Sequence, residues 1–214
     1  MTVAIIDYGS GNLRSAAKAF ERASVSAGTG AEIIVTNRPE DLDRASHIIL
    51  PGVGAFGDCM AGLAALDGMR DSLERNVIDD GKPFLGICVG MQLMAERGVE
   101  HGIHQGFGWI QGEITPIKPR DHTLKIPHMG WNDLDIITPE HPVFRGISSG
   151  MHTYFVHGYA LSGGSPDQIL ARVDYAGDIV AVVGRDNLVG TQFHPEKSQK
   201  TGLKFIENFL GWKP

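Results

Sequence analysis

A cysteine between a predicted strand and a predicted helix is the first residue whose surroundings could support chemistry. Cys88 follows the apolar run 84–87 and has a glycine two positions away on either side, Gly86 and Gly90. A nucleophile at such a corner is held in a strained backbone conformation, and small flanking residues leave room for it. A following helix would favour the thiolate, and the amide of Val89 would point toward a developing oxyanion. The alternative interpretation is a buried core thiol.

A cysteine nucleophile needs a base, and His194-Pro195-Glu196 offers an imidazole together with a carboxylate that could orient it. The tripeptide follows the predicted strand 188–192, and side chains two residues apart in an extended segment point to the same side. Pro195 restricts the backbone between them. The alternative is a surface histidine followed by a helix-capping glutamate. Because the pattern occurs together with the Cys88 corner, we predict that Cys88 and His194 are neighbours in space.

Two glycine-rich turns follow predicted strands and could bind a ligand through the backbone. Pro51-Gly52-Val53-Gly54 comes after the strand 47–50, and its amides could serve as oxyanion or anion donors. An ordinary tight turn is the alternative. Gly9-Ser10-Gly11 follows the first strand, but the third glycine of a dinucleotide-binding motif would fall at Arg14, which argues against NAD.

The other cysteine and the other histidines show no arrangement typical of catalysis or metal binding. Cys59 lies outside any strand-to-helix turn, so we interpret it as a core thiol. His101 and His104 share a Gly-rich loop, but neither a cysteine pair nor a His-Glu-x-x-His pattern lies nearby. The remaining histidines, His122 among them, lack metal-ligand spacing. We therefore predict no metal site.

Length and composition limit the class of protein. The chain has 214 residues, of which 42% are hydrophobic and 21% charged, and this predicts a single folded domain spanning residues 1–214. The net charge of −6 lacks the basic surplus of a nucleic-acid-binding protein. Two cysteines are too few for a disulfide framework and fit a reducing compartment. We find neither a signal peptide nor a membrane-spanning stretch, and we expect a cytoplasmic protein with no membrane partner.

The order of the elements predicts an α/β fold. In the first half, short strands that are apolar on both faces alternate with helical segments at about 63–78 and 91–97. This favours a mostly parallel central sheet flanked by helices. The second half begins with a Gly- and His-rich loop at 98–108 and continues with short strand candidates, until helical periodicity returns at 203–210. We interpret the second half as an antiparallel β extension packed on the parallel core.

The combined motifs resemble those of the class I (triad) glutamine amidotransferases over essentially the whole chain. The Cys88 corner and His194-Pro195-Glu196 are typical of the class. The Pro-Gly-Val-Gly turn, the segment Pro127-His128-Met129-Gly130-Trp131-Asn132 and the run His-Pro-Glu-Lys-Ser indicate the glutaminase subunits of imidazole glycerol phosphate synthases. The resemblance implies a flavodoxin-like α/β fold and an enzyme that needs no cofactor.

The resemblance implies roles for the matching residues. Cys88 would attack the side-chain amide of L-glutamine and form a thioester. His194 would take the thiol proton and deliver it to the departing ammonia, and Glu196 would orient His194. The oxyanion hole would use the amide of Val89 and, after a peptide flip, that of Val53.

The resemblance also implies a glutamine pocket made of Gly54, Gln92, Glu100, Gly158 and Tyr159. The backbone of Gly158 and Tyr159 would meet the substrate carboxylate. Gly158 stands where the family usually has Ser or Thr. A contact through the backbone amide would survive this change, whereas a contact through a hydroxyl would not.

A partner follows from the same resemblance, namely the (β/α)8-barrel cyclase subunit of imidazole glycerol phosphate synthase, which acts in L-histidine biosynthesis. Ammonia released into neutral water would be protonated and lose its nucleophilicity, so it would pass to the cyclase without meeting solvent. The chain itself has no phosphate-loop motif. We expect the docking face near Trp131, Tyr154 and Lys197, because aromatic and basic residues anchor interfaces. Core packing is the alternative for Trp131.

Two other functions are consistent with parts of the pattern. One is a related cysteine hydrolase, of the protease or esterase kind, that acts alone. In α/β-hydrolases the acid precedes the histidine, whereas here the histidine precedes its carboxylate. The other is a catalytically inactive scaffold that docks to a partner.

Overall fold

The computed structural model describes residues 1–121 and 123–214, so His122 and the prediction made for it lie outside the described residues. Within the described residues, fourteen strands form sheets of eight, four and two strands. The strands are β1 (Thr2–Ile6), β2 (Glu32–Thr36), β3 (His47–Gly52), β4 (Phe84–Cys88), β5 (Ala95–Gly98), β6 (His104–Gln105), β7 (Ile110–Pro116), β8 (His128–Asp133), β9 (Asp135–Ile136), β10 (His152–His157), β11 (Tyr159–Ser162), β12 (Ile169–Asp174), β13 (Asp178–Arg185) and β14 (Leu188–Thr191). The helices are α1 (Leu13–Ser26), α2 (Glu40–Arg44), α3 (Phe56–Ala64), α4 (Met69–Leu73), α5 (Val89–Gln92) and α6 (Gln199–Leu210).

The large sheet has the strand order β2-β1-β3-β4-β14-β13-β12-β9. The pairs from β2 to β14 are parallel, and the pairs from β14 to β9 are antiparallel. The predicted α/β class, the parallel core with flanking helices and the antiparallel extension are therefore confirmed. Strands β13, β12 and β9 extend the central sheet beyond β14, and the rest of the extension forms the two smaller sheets.

The central strands consist mainly of apolar residues, which places them in the core. Every residue of β3 and of β4 is buried, as expected for parallel strands covered on both faces. Helices α1 and α6 lie side by side, and Phe20 meets Phe209 edge-to-face at 6.5 Å between ring centroids. The carboxyl ends of β3, β4 and β14 meet at one edge of the sheet, where Gly52 pairs with Cys88. The turn after β3, the Cys88 corner and the segment with His194 therefore lie at the same edge of the sheet.

The predicted helix at 91–97 is wrong. Helix α5 begins at Val89 and ends at Gln92, and the chain then forms β5, which pairs in parallel with β7. Leu93, Met94 and Ala95 are all buried, and so short an apolar run suits a helix or a strand equally well. The pairing with β7, more than ten residues further along the chain, decides the outcome.

The predicted helix at 63–78 is divided in the structure. Helix α3 begins earlier, at Phe56, and ends at Ala64, and Gly68 with a φ of 71° precedes α4. A wider π-helical segment, Glu74–Asp79, follows α4. The left-handed conformation at Gly68 interrupts the helix, since it cannot continue a right-handed turn.

The described helices are all too short or too polar to cross a lipid bilayer. In residues 1–121 and 123–214, no group of three His, Cys, Asp or Glu side chains is arranged to hold a metal ion.

Candidate functional site

Cys88 lies at a strained corner between β4 and α5. Its backbone angles are φ 54° and ψ −110°, a conformation that is costly for a residue with a side chain. A Cβ at Gly86 would come within 2.7 Å of the backbone of Gly90 and Met91, and one at Gly90 would collide with the carbonyl of Leu50. The two flanking glycines are therefore required by the close approach of β3, β4 and α5.

The helix after Cys88 is shorter than predicted. It has four residues, so few aligned peptide dipoles stand behind the sulfur, and the dipole of this helix contributes little to thiolate stability.

His194 and Glu196 form a buried pair. The Nδ1 of His194 lies 2.8 Å from Oε1 of Glu196, and both side chains are 2% exposed. A tight 3-10 turn at Pro195–Lys197 brings the two side chains together immediately after β14. The alternative of a surface histidine with a capping glutamate is therefore wrong.

Cys88 and His194 line the same cavity, whose volume is about 370 Å³. Cys88 is only 3% exposed, yet it is one of the residues that line this cavity. A larger cleft of 630 Å³, lined by Trp131 and Lys204 among others, contains neither Cys88 nor His194. The smaller cavity contains the thiol and the imidazole and is the candidate active site.

The charge state of His194 is set by its two neighbours. Burial lowers the pKa of the imidazole, but the Cys88 and Glu196 side chains outweigh burial and raise the pKa of His194 to about 9. The Nε2 atom makes no hydrogen bond of acceptable geometry within the described residues. At neutral pH the site therefore favours an imidazolium beside the sulfur.

The Val53 peptide is held by Ser10. The Val53 N–H donates to Ser10 Oγ at 3.0 Å, and the Ser10 hydroxyl donates to the Val53 carbonyl at 2.6 Å. Cys59 Sγ, which is buried as predicted, donates to the same carbonyl at 3.4 Å. The next residue, Gly54, has a φ of 93° and open space where a Cβ would stand, so the turn has room to change conformation. No pattern in the sequence indicates the contacts of Ser10 and Cys59 with this turn.

The residues of the predicted glutamine pocket come together around the cavity. Its lining includes Val53, Val89, Gly54, Gln92, Glu100, Gly158 and Tyr159, all predicted from the sequence. Glu100 lies within the predicted loop, and its carboxylate accepts a hydrogen bond of 2.9 Å from the N–H of Phe56, the first residue of α3. Gly158 separates β10 from β11.

Gln192 is a fully buried polar residue beside Cys88. Its Oε1 accepts a hydrogen bond of 3.0 Å from Gln92 Nε2, and its own Nε2 donates to Cys88 Sγ at 3.7 Å. Gln192 follows an apolar strand, and only Phe193 lies between it and His194. No motif in the sequence therefore indicates that Gln192 contacts Cys88.

Two buried histidines support the pocket, and one of them, His157, lines the cavity. His157 Nδ1 donates to the Tyr159 carbonyl at 2.8 Å, and His157 Nε2 lies 3.1 Å from His128 Nδ1. Burial lowers the pKa of His128 to about 4. Burial, assisted by repulsion from His128 and His194, lowers the pKa of His157 to about 4, against an opposing hydrogen bond to Tyr159. Both imidazoles are therefore neutral at pH 7, with the His157 tautomer set by the carbonyl.

Trp131, Tyr154 and Lys197 form a surface cluster beside the cavity. The rings of Trp131 and Tyr154 meet edge-to-face at 5.8 Å, and the Lys197 ammonium lies 5.9 Å from the centre of the Tyr154 ring. Trp131 is 49% exposed, so the alternative of core packing for this residue is wrong. Lys197 also lines the cavity, which makes the cluster continuous with the candidate active site.

Two curated relatives of the chain carry the same name. The chain is 57% identical over 217 residues to the imidazole glycerol phosphate synthase subunit HisH of Mesorhizobium japonicum, and it is 55% identical over 214 residues to the protein of the same name from Rhodospirillum rubrum. Each match covers 100% of this chain and 100% of the relative.

Solved structures show the same fold at lower identity. A glutamine amidotransferase crystal structure superposes with a TM-score of 0.72 at 19% identity and covers 98% of this chain and 99% of that chain. A putative GMP synthase component from Thermoplasma acidophilum gives a TM-score of 0.70 at 20% identity, over 99% of this chain and 92% of that chain.

A family model supports the same assignment. The model described as "Glutamine amidotransferase class-I" matches residues 4–211, nearly the whole length of the chain. Together with the full-length similarity to the HisH subunits, this match shows that the chain belongs to the class-I glutamine amidotransferase family.

Proposed function

We propose that this chain is the glutaminase subunit of an imidazole glycerol phosphate synthase. It hydrolyses L-glutamine to glutamate and ammonia, and the ammonia is used by a cyclase subunit to form imidazole glycerol phosphate and an aminoimidazole carboxamide ribonucleotide. The observation that supports this most directly is the buried His194–Glu196 pair, which shares one cavity with Cys88 at its strained corner. This is the arrangement that an activated thiol nucleophile requires.

The proposed reaction proceeds in two stages. The Cys88 thiolate attacks the side-chain carbonyl carbon of glutamine, the carbon–nitrogen bond breaks, and His194 gives its Nε2 proton to the leaving ammonia. A thioester remains on Cys88. Neutral His194 then takes a proton from water, the hydroxide equivalent displaces the thiolate, and glutamate leaves. Glu196 keeps the Nδ1 of His194 hydrogen-bonded, which fixes the ring orientation in both stages.

We assign the oxyanion hole to the amides of Val89 and Val53. Val89 is the first residue of α5 and lines the cavity next to Cys88. The Val53 amide is engaged with Ser10, so it becomes available only if the Val53 peptide flips. The chain alone should therefore hydrolyse glutamine slowly until a partner stabilises the flipped turn.

We place the glutamine substrate in the cavity with its α-carboxylate at the backbone of Gly158 and Tyr159. Gly54, Gln92 and the Glu100 carboxylate complete the pocket, and the carboxylate suits the positive α-amino group. The side-chain amide of glutamine then reaches Cys88 at the other end of the cavity.

The partner that we propose is a (β/α)8-barrel cyclase subunit. The name of the relatives includes the word subunit, so those proteins act with at least one other chain. The cluster Trp131, Tyr154 and Lys197 borders the cavity, and the nearby Met129 is 61% exposed. An apolar surface with a basic rim suits a protein interface, and its position would let ammonia leave directly into the partner.

We also treat residues 1–214 as one domain and place the reaction in the cytoplasm. The first strand, β1, lies inside the eight-stranded sheet, and the last helix, α6, packs against α1, so both ends of the chain belong to one core. Both cysteines are free thiols, which is typical of a reducing compartment.

Co-purification with the cyclase subunit, followed by glutamate release with and without the acceptor ligand, tests this function. Wild-type chain should turn over glutamine in the complex, and Cys88→Ala should co-purify equally well and release no glutamate. The barrel subunit supplied with ammonium salt is the control for cyclase competence. Glutamate release by the Cys88→Ala complex at the wild-type rate would exclude the proposed nucleophile.

A further inference from the structure

We propose that Gln192 is a further catalytic residue, whose side-chain amide donates a hydrogen bond to the Cys88 thiolate and stabilises it. This inference rests on the proposed role of Cys88 as the nucleophile. The contact is the 3.7 Å separation between Gln192 Nε2 and Cys88 Sγ, which is within hydrogen-bond range for sulfur.

The orientation of the Gln192 amide follows from its neighbours. Gln92 Nε2 lies 3.1 Å from the Tyr159 carbonyl, which only accepts hydrogen bonds, so this end of Gln92 is the NH2 group. The same NH2 group lies 3.0 Å from Gln192, and the atom that it meets must therefore be Oε1. The other end of the Gln192 amide, which faces the sulfur, is the NH2 group.

Gln192 is also held firmly in this position. It is fully buried, and its backbone N–H donates to the Ala181 carbonyl at 2.8 Å as the chain leaves β14. A buried amide beside a sulfur has no water to replace its hydrogen bonds, so the interaction is stronger than it would be at the surface. Donors to an ionised acceptor are the stronger class of hydrogen bond.

The site needs such a donor because α5 is short. Four helical residues supply little dipole, and His194 changes charge during the reaction, since it gives up its proton to the leaving ammonia. An amide does not titrate, so Gln192 donates to the sulfur both before attack and when the thioester breaks. The two groups therefore have separate roles. His194 moves the proton, and Gln192 stabilises the sulfur anion before attack and again when the thioester breaks.

Alkylation of Cys88 by iodoacetamide measures the thiolate directly and does not depend on glutamine. The rate is followed by mass spectrometry of the peptide that contains Cys88, between about pH 5 and pH 10, because only the thiolate reacts. Leucine has a similar volume and no donor. In Gln192→Leu, the pH at which the alkylation rate is half its maximum should rise by about one unit, so that alkylation at pH 7 slows roughly tenfold. In complex with the cyclase subunit, kcat should fall while KM for glutamine stays within about twofold.

Two further variants separate the donor role from packing. Gln192→Glu keeps the shape of the side chain and places a carboxylate near the sulfur. The pH of half-maximal alkylation should therefore rise at least as far as in Gln192→Leu. This variant also tests the donor role if Gln192→Leu does not fold. Thr153→Val removes a fully buried hydroxyl in the adjacent β10 and should leave the alkylation profile unchanged.

An unchanged Cys88 profile in folded Gln192→Leu or Gln192→Glu would overturn the inference, as would an equal shift in Thr153→Val. A normal alkylation profile in a wild-type complex that cannot hydrolyse glutamine would instead count against the proposed function.

Discussion

The hydroxyl of Ser10 accepts a hydrogen bond from the Val53 N–H and donates one to the Val53 carbonyl. One side chain, from the turn after β1, therefore holds both polar groups of a residue in the turn after β3. These bonds oppose the peptide flip that the proposed oxyanion hole requires.

Ser10→Ala should increase glutamine hydrolysis by the isolated chain. Removing bonds worth about 0.5–1.5 kcal/mol favours the flipped peptide and raises the basal rate by up to roughly tenfold. The rate in the complex should change little, because the partner already stabilises the active turn. Ser26→Ala, at the exposed end of α1, is the matched control. A basal rate in Ser10→Ala equal to that of Ser26→Ala would show that Ser10 does not restrain the turn.

Glu196→Gln should lower activity and change its pH dependence. In the wild-type complex, kcat/KM should fall on the alkaline side as His194 loses its proton near its pKa of about 9. Replacing the carboxylate by an amide removes one of the groups that raise this pKa, so the alkaline limb should move to lower pH. The rate at pH 7 should drop by about 100-fold or more, since the ring is no longer correctly oriented.

The matched control is Glu207→Gln, which removes a carboxylate on α6 that pairs with Lys204. Its pH–rate profile should coincide with that of the wild type. An alkaline limb that stays in place in Glu196→Gln would mean that the carboxylate does not set the charge of His194.

The free energy of unfolding should decrease as the pH falls from about 6.5 to about 4. Burial lowers the pKa values of His128 and His157 to about 4 in the folded state. In the unfolded chain both return to about 6.5, so the unfolded state binds more protons within this window and is favoured by acid. Urea unfolding at several pH values measures the slope. His157→Gln should flatten it, whereas His101→Gln, at an exposed position, should retain the wild-type slope.

Gly158→Ser should fold and keep its glutaminase activity. A Cβ at this position would lie 3.6 Å from Ile126 Cγ2, an ordinary contact, and the backbone there is not in the left-handed region. The smaller entropy of the unfolded chain should stabilise the variant by up to about 1 kcal/mol. Thermal melting and KM for glutamine provide the readout, and a large rise in KM would show that this position tolerates only glycine.

Features that depend on local pattern could be predicted from the amino-acid sequence. The glycines around Cys88 and the rigid His194-Pro195-Glu196 tripeptide predicted a nucleophile and a base, and the buried runs of β3 and β4 predicted the parallel core. Each of these features is encoded within a few neighbouring residues, so local sterics and hydrophobic periodicity are enough to reveal it.

Features that depend on residues far apart in the chain became visible only in the folded molecule. The segment Ala95–Gly98 becomes a strand because β7 is available to pair with it. Gln192 meets Cys88 because β14 and β4 are neighbours in the sheet, although 104 residues separate the two in the chain. Ser10 meets Val53 in the same way, across the ends of two strands. The sequence does not show which buried donors and acceptors will form hydrogen bonds with one another, because these partners meet only when the sheet forms.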